Sequence, residues 1–396
     1  MKVLMINHFP IVGSGSGTYT RNIAVHLAKK GHEVSIIMPE NTTQFGSIPG
    51  VKLIPVFFSH EESIGNVLPF NFPCFTTHPR STMTYFDLDD NQLQEYLFAF
   101  GKAIDDAVEQ FRPDVIHAQH IWLLSWLAWK TGVPYVITAH GTDLMGYQQG
   151  VRFRPYADEA AAGAKSIITI SNDNDRLVKE LFPSCAGKAV FMRNGYDPDR
   201  FYPEPFTAEQ IRYMFDIRLK KKLVFFAGKL AHFKGVDVLL EAARLYEGEC
   251  PGEILTLIAG DGELTDQLKK QAEDYKLEGV RFMGHLDVSQ LRGLYSAADV
   301  CVVPSRREPF GLVAIEALAC GAPVIATNQG GLPDIINEDV GALVEVDDAF
   351  GLSVAIRNEL YRPDREERSR RVAKYAVDNY TQDSLMDALI EIYSRE

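Results

Sequence analysis

Twice along this chain, short runs of wholly apolar residues are each followed by a loop and then by a stretch of helix length, an alternation that few folds accommodate. The first series opens with Val3 to Asn7, a glycine-rich turn (Gly13-Ser-Gly15-Ser-Gly17) and a helix whose apolar positions Ile23, Ala24, Leu27 and Ala28 recur at helical spacing. Gly31 closes that helix, and Val34 to Met38 is the next strand. Further apolar strands lie at Asp114-Val-Ile-His-Ala, Tyr135-Val-Ile-Thr-Ala and Ser166-Ile-Ile-Thr-Ile. Runs without polar alternation belong to strands covered on both faces, so a doubly wound parallel sheet is expected.

Around Arg193-Asn-Gly-Tyr-Asp-Pro-Asp-Arg-Phe-Tyr-Pro-Glu-Pro the chain becomes dense in Pro, Gly and Asp, the composition of a link between domains. The rhythm then restarts, with strands at Leu223 to Ala227, Ile254 to Ala259, Val280 to Met283, Val300 to Pro304, Pro323 to Ala326 and Gly341 to Val344. At 396 residues the chain is too long for one ordinary core. The expected fold class is therefore α/β, with two doubly wound Rossmann-like domains, residues 1–200 and 201–380. Segment 57–90 fits neither period: Phe57, Phe58, Phe70, Phe72, Phe75, Tyr85 and Phe86 lie among prolines and read as an irregular aromatic loop region.

A net charge of −13 works against broad nucleic-acid binding, which needs Lys/Arg surfaces, but leaves room for a local basic pocket. Five cysteines without a Cys-x-x-Cys pair suggest neither a disulfide framework nor a zinc site. Nowhere do 18 apolar residues run together, and the start lacks an apolar core of signal-peptide length, so no transmembrane segment and a cytoplasmic location are expected. Peripheral membrane contact is compatible with this, and oligomeric state is left open.

The densest signal is Pro304-Ser-Arg306-Arg307-Glu308-Pro-Phe310-Gly311-Leu312-Val313-Ala-Ile-Glu316-Ala-Leu-Ala-Cys-Gly321-Ala-Pro323-Val. A strand ends at Pro304, a loop carries Glu308, and a helix begins after Gly311 with the positive end of its dipole free, a docking point for a diphosphate. Glu316 follows in that helix, so the two carboxylates suit two separate tasks. A single glutamate here is most often a solvated charge; the full string argues otherwise. It resembles the signature of the family-4 retaining glycosyltransferases, Glu-x7-Glu with Phe-Gly-Leu and Glu-Ala-x-Ala-x-Gly-x-Pro-Val.

That resemblance extends over nearly the whole chain. It implies the GT-B arrangement, two domains facing across a cleft, with an N-terminal acceptor-binding and a C-terminal nucleotide-sugar-binding domain, and a helix in 381–396 returning to the first. It implies that Glu308 holds a hydroxyl of the transferred sugar, that Glu316 chelates the ribose hydroxyls, and that the amides of Gly311, Leu312 and Val313 meet the phosphates, with Phe310 also among the donor-binding residues. Phe226-Ala-Gly228-Lys229-Leu-Ala-His-Phe-Lys234-Gly235 resembles the family's Gly-Arg-Leu…Lys-Gly loop, which makes Lys229 and Lys234 stabilisers of the departing diphosphate, with Lys at 229 where many relatives carry Arg. His140, in Ile137-Thr-Ala-His140-Gly-Thr-Asp143, follows a strand's carboxyl end, where open α/β sheets bind ligands, and matches the histidine that touches the transferred sugar or its phosphate. His120 in His117-Ala-Gln-His120-Ile-Trp122, Asn194 in Arg193-Asn194-Gly195, and the Gly15/Gly17 turn complete the implied donor contacts.

Three other readings lose ground. The Gly-x-Gly-x-Gly spacing lacks the third glycine of the Gly-x-Gly-x-x-Gly dinucleotide fingerprint, which argues against a nicotinamide enzyme. Asp87-Leu-Asp89 and Asp197-Pro-Asp199 have the form that chelates Mn²⁺ in the other large glycosyltransferase fold but lie outside a strand-end site, so no metal and no cofactor are expected. A 2-epimerase or inverting transferase of the same fold, or a non-catalytic nucleotide-sugar binder, fits the Glu308/Glu316 string and the intact Lys229, Lys234 and His140 less well. The partners expected are a nucleotide-sugar donor, with glucose or N-acetylglucosamine on uridine diphosphate, and a hydroxyl acceptor on a glycan precursor or small metabolite.

Overall fold

The computed structural model describes residues 1–59, 68–76, 78, 80–204, 208–217 and 221–395. By internal packing the chain divides into Met1–Asn194 with Gln382–Glu396, and Gly195–Thr381. The first unit runs β1 (Lys2–Ile6), α1 (Gly15–Lys29), β2 (Glu33–Glu40), β3 (Val51–Phe57), α2 (Asp90–Phe111), β4 (Val115–Gln119), α3 (Leu123–Lys130), β5 (Tyr135–Ala139), α4 (Thr142–Gln149), α5 (Arg154–Gly163), β6 (Ser166–Thr169), α6 (Asn172–Leu181) and β7 (Ala189–Phe191). Its seven strands pair in parallel in the order β3-β2-β1-β4-β5-β6-β7.

Alternation along each strand divides the core. Leu4, Ile6, Ile116 and Ala118 face α2 and α3, whereas Val3, Met5, Val115 and Val136 face α1. The aromatic segment is irregular where it is described, with residues 60–67, 77 and 79 outside the described set. Phe58, Phe70, Phe72, Phe75 and Tyr85 are nonetheless buried there, packed with Tyr96, Phe100, Trp122 and Phe153. Edge-to-face pairs such as Phe75 on Trp122, with centroids 5.1 Å apart, make this loop part of the core rather than a solvent-facing flap.

The second unit runs α7 (Ala208–Met214), β8 (Lys222–Ala227), α8 (Val236–Glu249), β9 (Ile254–Ala259), α9 (Thr265–Asp274), β10 (Val280–Gly284), α10 (Val288–Ala297), β11 (Val300–Val303), α11 (Leu312–Ala319), β12 (Val324–Thr327), β13 (Gly341–Val344), α12 (Ala349–Leu360) and α13 (Arg365–Tyr380). Its sheet is parallel in the order β10-β9-β8-β11-β12-β13. Residues Gln382–Ser394 form α14, which belongs to the first unit and buries Met386, Leu389 and Ile392 in the α1-side core. No helix among the described residues is long and apolar enough to cross a membrane. In each sheet the order reverses at one place, between β1 and β4 and between β8 and β11, and the crevice beyond the carboxyl ends of such strands is where ligands bind in doubly wound folds.

Candidate active site

In the second unit, the loops after β8 and β11 flank that reversal and are stitched together. The Arg306 and Arg307 amides both donate to the Phe233 carbonyl, at 2.9 and 3.1 Å. Arg306 grips Asp237, at the start of α8, with two nitrogens at 2.8 and 2.6 Å and reaches Asp347 at 2.6 Å. Such a bidentate fork fixes orientation as well as distance. Gly235, at φ 65°, lies so near the Pro304 carbonyl that an added Cβ would stand 2.0 Å from its oxygen. Gly330 (φ 58°) likewise leaves room for the Glu308 carbonyl, 2.0 Å from where a Cβ would be, and the Gly331 amide donates to that oxygen at 2.9 Å.

This scaffold brings Lys234 and Glu308 together. Lys234 Nζ donates to Glu308 Oε2 at 2.5 Å, and the Ser305 hydroxyl reaches the same oxygen at 3.3 Å. Both charged side chains are mostly buried, where an ion pair is screened less than at the surface. Lys229, just past β8 and Gly228, pairs with the half-exposed Glu263 at 3.3 Å. Gly311 caps α11 without a side-chain hydrogen bond, so the first-turn amides of that helix, those of Leu312 and Val313 among them, have no side-chain acceptor there. Phe310 is buried beside them. An ammonium group, a carboxylate and a helix N-terminus on adjoining loops suit a diphosphate with a hydroxyl-rich group attached.

Glu316 lies in the second turn of α11. Burial pushes its carboxyl up to about 8, with Arg200 pulling the other way. Between its ordinary value of 4.5 and about 8, the folded chain therefore holds a proton that the unfolded chain has lost, and this group's effect is to lower stability as pH rises through that window. Replacing it by Gln should remove the slope: thermal melts of Glu316→Gln should gain on the parent as pH rises from 4.5 to about 8, and parallel curves would refute the assignment.

In the first unit His140 follows β5 and is buried. Its Nε2 lies 2.9 Å from Gln119 Oε1, an acceptor, so Nε2 carries the proton and Nδ1 is left as the ring's acceptor. Burial holds the imidazole far below its usual range, near 3, so it acts as a neutral group. Asp143 sets the surrounding backbone, accepting from Ile121 N–H at 2.8 Å and from His140 N–H at 3.1 Å. Its own carboxyl is pushed up to about 6 by burial, which those amides oppose. His120, the residue after β4, lies in the left-handed region, φ 75°, its ring 4.7 Å from that of His140. Strain of this kind persists only where the surroundings impose it.

The other residues singled out from sequence fall into distinct settings. Ser14 caps α1 by accepting from Gly17 N–H at 3.0 Å; Gly17 is packed against the Pro10 carbonyl, whereas Gly15 has open space where a side chain would be. Asn194 is buried beyond β7, as the last residue of the first unit before the link. Asp87 accepts from Thr84 and Asp89 caps α2, which gives the first Asp-x-Asp pattern a structural role. Gln119, Asp143, Ser305 and Arg306 carry the geometry without having stood out in the sequence. They act through tertiary neighbours, and only their place in the quoted strand-end motifs marked them.

Residues 13–200 match the family model described as Glycosyltransferase Family 4, and residues 208–392 match the one described as Glycosyl transferases group 1. Glycogen synthase of Mycobacterium tuberculosis H37Rv is 30% identical over 408 residues, spanning 99% of this chain and 94% of the relative. D-inositol 3-phosphate glycosyltransferase of Mycolicibacterium smegmatis is 29% identical over 425 residues, spanning 99% and 90%. Among solved structures, sucrose-phosphate synthase from Thermosynechococcus elongatus superposes with a TM-score of 0.79 at 22% identity, covering 99% of this chain and 98% of that one. Anabaena HepE in complex with UDP superposes with a TM-score of 0.76 at 18% identity over the full length of both chains. With both halves of its sequence matched, and a relative 30% identical along nearly its whole length, the chain belongs to the family-4, group 1 glycosyltransferases and has their two-domain GT-B fold.

Proposed function

We propose that this glycosyltransferase moves a hexosyl unit, glucose or N-acetylglucosamine, from a nucleoside diphosphate donor to an acceptor hydroxyl with retention of configuration and without a metal. The observation that supports this most is the Lys234–Glu308 pair at 2.5 Å beside the open N-terminus of α11. Lys234, Lys229 and the α11 amides then receive the charge that builds on the leaving diphosphate, the task a metal ion performs elsewhere. Glu308 accepts from a hydroxyl of the transferred sugar, and Glu316 from the ribose. Uridine is the expected base; HepE, of the same fold, is described in complex with UDP-glucose.

Retention without a covalent intermediate is supported by the setting of His140. Both oxygens of the neighbouring Asp143 already accept backbone amides, a positioning arrangement unlike the close, free carboxylate of a retaining glycosidase. The acceptor's proton then passes to a phosphate oxygen of the donor as the glycosidic bond breaks and the new one forms on the same face. His140, neutral and with Nδ1 as acceptor, orients a sugar hydroxyl.

Calorimetry with the unsugared nucleoside diphosphate separates the two glutamates. Glu316→Ala should weaken that binding by about 1–3 kcal/mol, whereas Glu308→Ala should leave it nearly intact and depress transfer. Equal losses in both, or a loss only in Glu308→Ala, would overturn these roles.

A further inference from the structure

We propose that Tyr393, near the end of α14, is a positioning residue for His140 and acts on it through a buried chain of hydrogen bonds made by His117, Thr138 and Tyr19. The proposal rests on the role assigned to His140 above, orienting a hydroxyl of the transferred sugar, and it makes the last helix a working part of transfer rather than a cover for the sheet.

Strand alternation sets this chain of side chains in place. His117 lies two residues after Val115 on β4, and Thr138 two residues after Val136 on β5, so both share the face of the sheet that α1 and α14 cover. From α14, Tyr393 brings its hydroxyl to 2.7 Å from His117 Nδ1. Across the ring, His117 Nε2 lies 2.7 Å from the Thr138 hydroxyl, which in turn is 3.3 Å from the hydroxyl of Tyr19 on α1. All four side chains are buried.

The chain of bonds ends against His140. The ring of Tyr19 meets the His140 ring edge to face, with centroids 5.0 Å apart and planes at 82°. Gln119 Oε1 holds His140 Nε2 at 2.9 Å, which leaves rotation about that bond to be stopped by packing. Tyr19 supplies the stop. The hydrogen bond and the ring contact together fix the direction in which His140 presents Nδ1, the atom that accepts from the sugar hydroxyl.

Holding α14 in place does not require these polar groups. The cluster around them consists of apolar residues such as Val3, Met5, Val115, Val136, Met386 and Leu389, and apolar side chains of the same shape would bind the helix about as well. What the polar groups add is coupling. Burial holds the His117 imidazole far below its usual range, near 3, so it is neutral and carries a single N–H. Either Tyr393 donates to Nδ1 and Nε2–H donates to Thr138, or Thr138 donates to Nε2 and Nδ1–H donates to Tyr393. The sense of the bond at one end therefore sets the sense at the other. Without the Tyr393 hydroxyl, His117 is free to change tautomer, the Thr138 hydroxyl turns with it, and Tyr19 loses the anchor that keeps its ring against His140.

The test uses the full-length chain. Tyr393→Phe keeps the ring and removes the hydroxyl; Thr138→Val cuts the same chain of bonds at its middle with a side chain of the same shape. In protein labelled with ¹⁵N-histidine, the imidazole signals of His140, assigned by their loss in His140→Ala, should shift in both variants. Turnover should fall about fivefold to tenfold, the scale of one lost buried hydrogen bond, while the donor KM stays within about twofold of the parent. Placed in the His140→Ala chain, Tyr393→Phe should lower turnover no further, because a residue that acts through another has nothing left to act on. His140 signals unmoved in both variants, or a turnover loss in Tyr393→Phe that adds in full to that of His140→Ala, would overturn the proposal and leave Tyr393 as a residue that only holds the helix. Parental turnover in His140→Ala would instead overturn the role given to His140, with the imidazole signals still deciding whether Tyr393 sets its ring.

Discussion

Lys234→Ala should lower turnover by a factor on the order of a hundred or more, the scale for losing one transition-state charge donor. Lys234 is not a loop lysine in solvent: its side chain is mostly buried and its Nζ is 2.5 Å from Glu308. In the absence of donor it neutralises Glu308; with donor bound, the diphosphate competes for the same ammonium group. Removing it therefore costs the leaving group its cation and leaves Glu308 with a buried charge beside the more distant Ser305 hydroxyl, 3.3 Å away. Nucleoside diphosphate affinity should fall less than turnover, because the charge on the leaving group is greatest in the transition state. Initial rates of donor consumption read this directly, and parental rates in the variant would contradict it.

Gly235→Ala should be among the most damaging single-methyl changes near the site. Its backbone is left-handed at φ 65°, and the new Cβ would lie 2.0 Å from the Pro304 oxygen, a backbone atom that cannot rotate away. Overpacking of this kind costs about 1–3 kcal/mol, and a non-glycine residue in the left-handed region adds roughly 1–2 kcal/mol. The loop carrying Lys234 and the loop carrying Glu308 would be forced apart, so a melting temperature lower by several degrees should accompany a loss of turnover. Gly15→Ala is the contrast: nothing lies within 4 Å of the added carbon, and its melting temperature should stay at the parental value. A Gly235→Ala chain with parental melting and rates would show that the two loops are not locked together as described.

What the sequence disclosed depended on how each element is buried. Strand β9, at Ile254–Ala259, falls where the apolar run placed it, because a strand inside a parallel sheet needs apolar residues throughout. Strand β3, Val51–Phe57, was not legible: it lies at the sheet edge, is mostly half-buried, and contains Lys52 and Pro55, which an edge tolerates. The aromatic segment was legible as irregular, but not as part of the core, because burial without periodicity leaves no pattern to read. Lys234 and Glu308 stood out because each sits in a dense string just past a strand. Their hydrogen bond joins residues 74 positions apart, and Arg306, Ser305 and the amide-held Asp143 gain their roles only from such long-range neighbours.

Metal-free transfer from a nucleoside diphosphate sugar with retention shows itself in the first sugar released when water is the acceptor. Uridine, adenosine and guanosine diphosphate sugars of α configuration are incubated with the chain in excess chelator, and the anomeric protons are followed by NMR before mutarotation. The α sugar should appear first, together with the free nucleoside diphosphate. Early β sugar, or release that requires an added divalent cation, would contradict it.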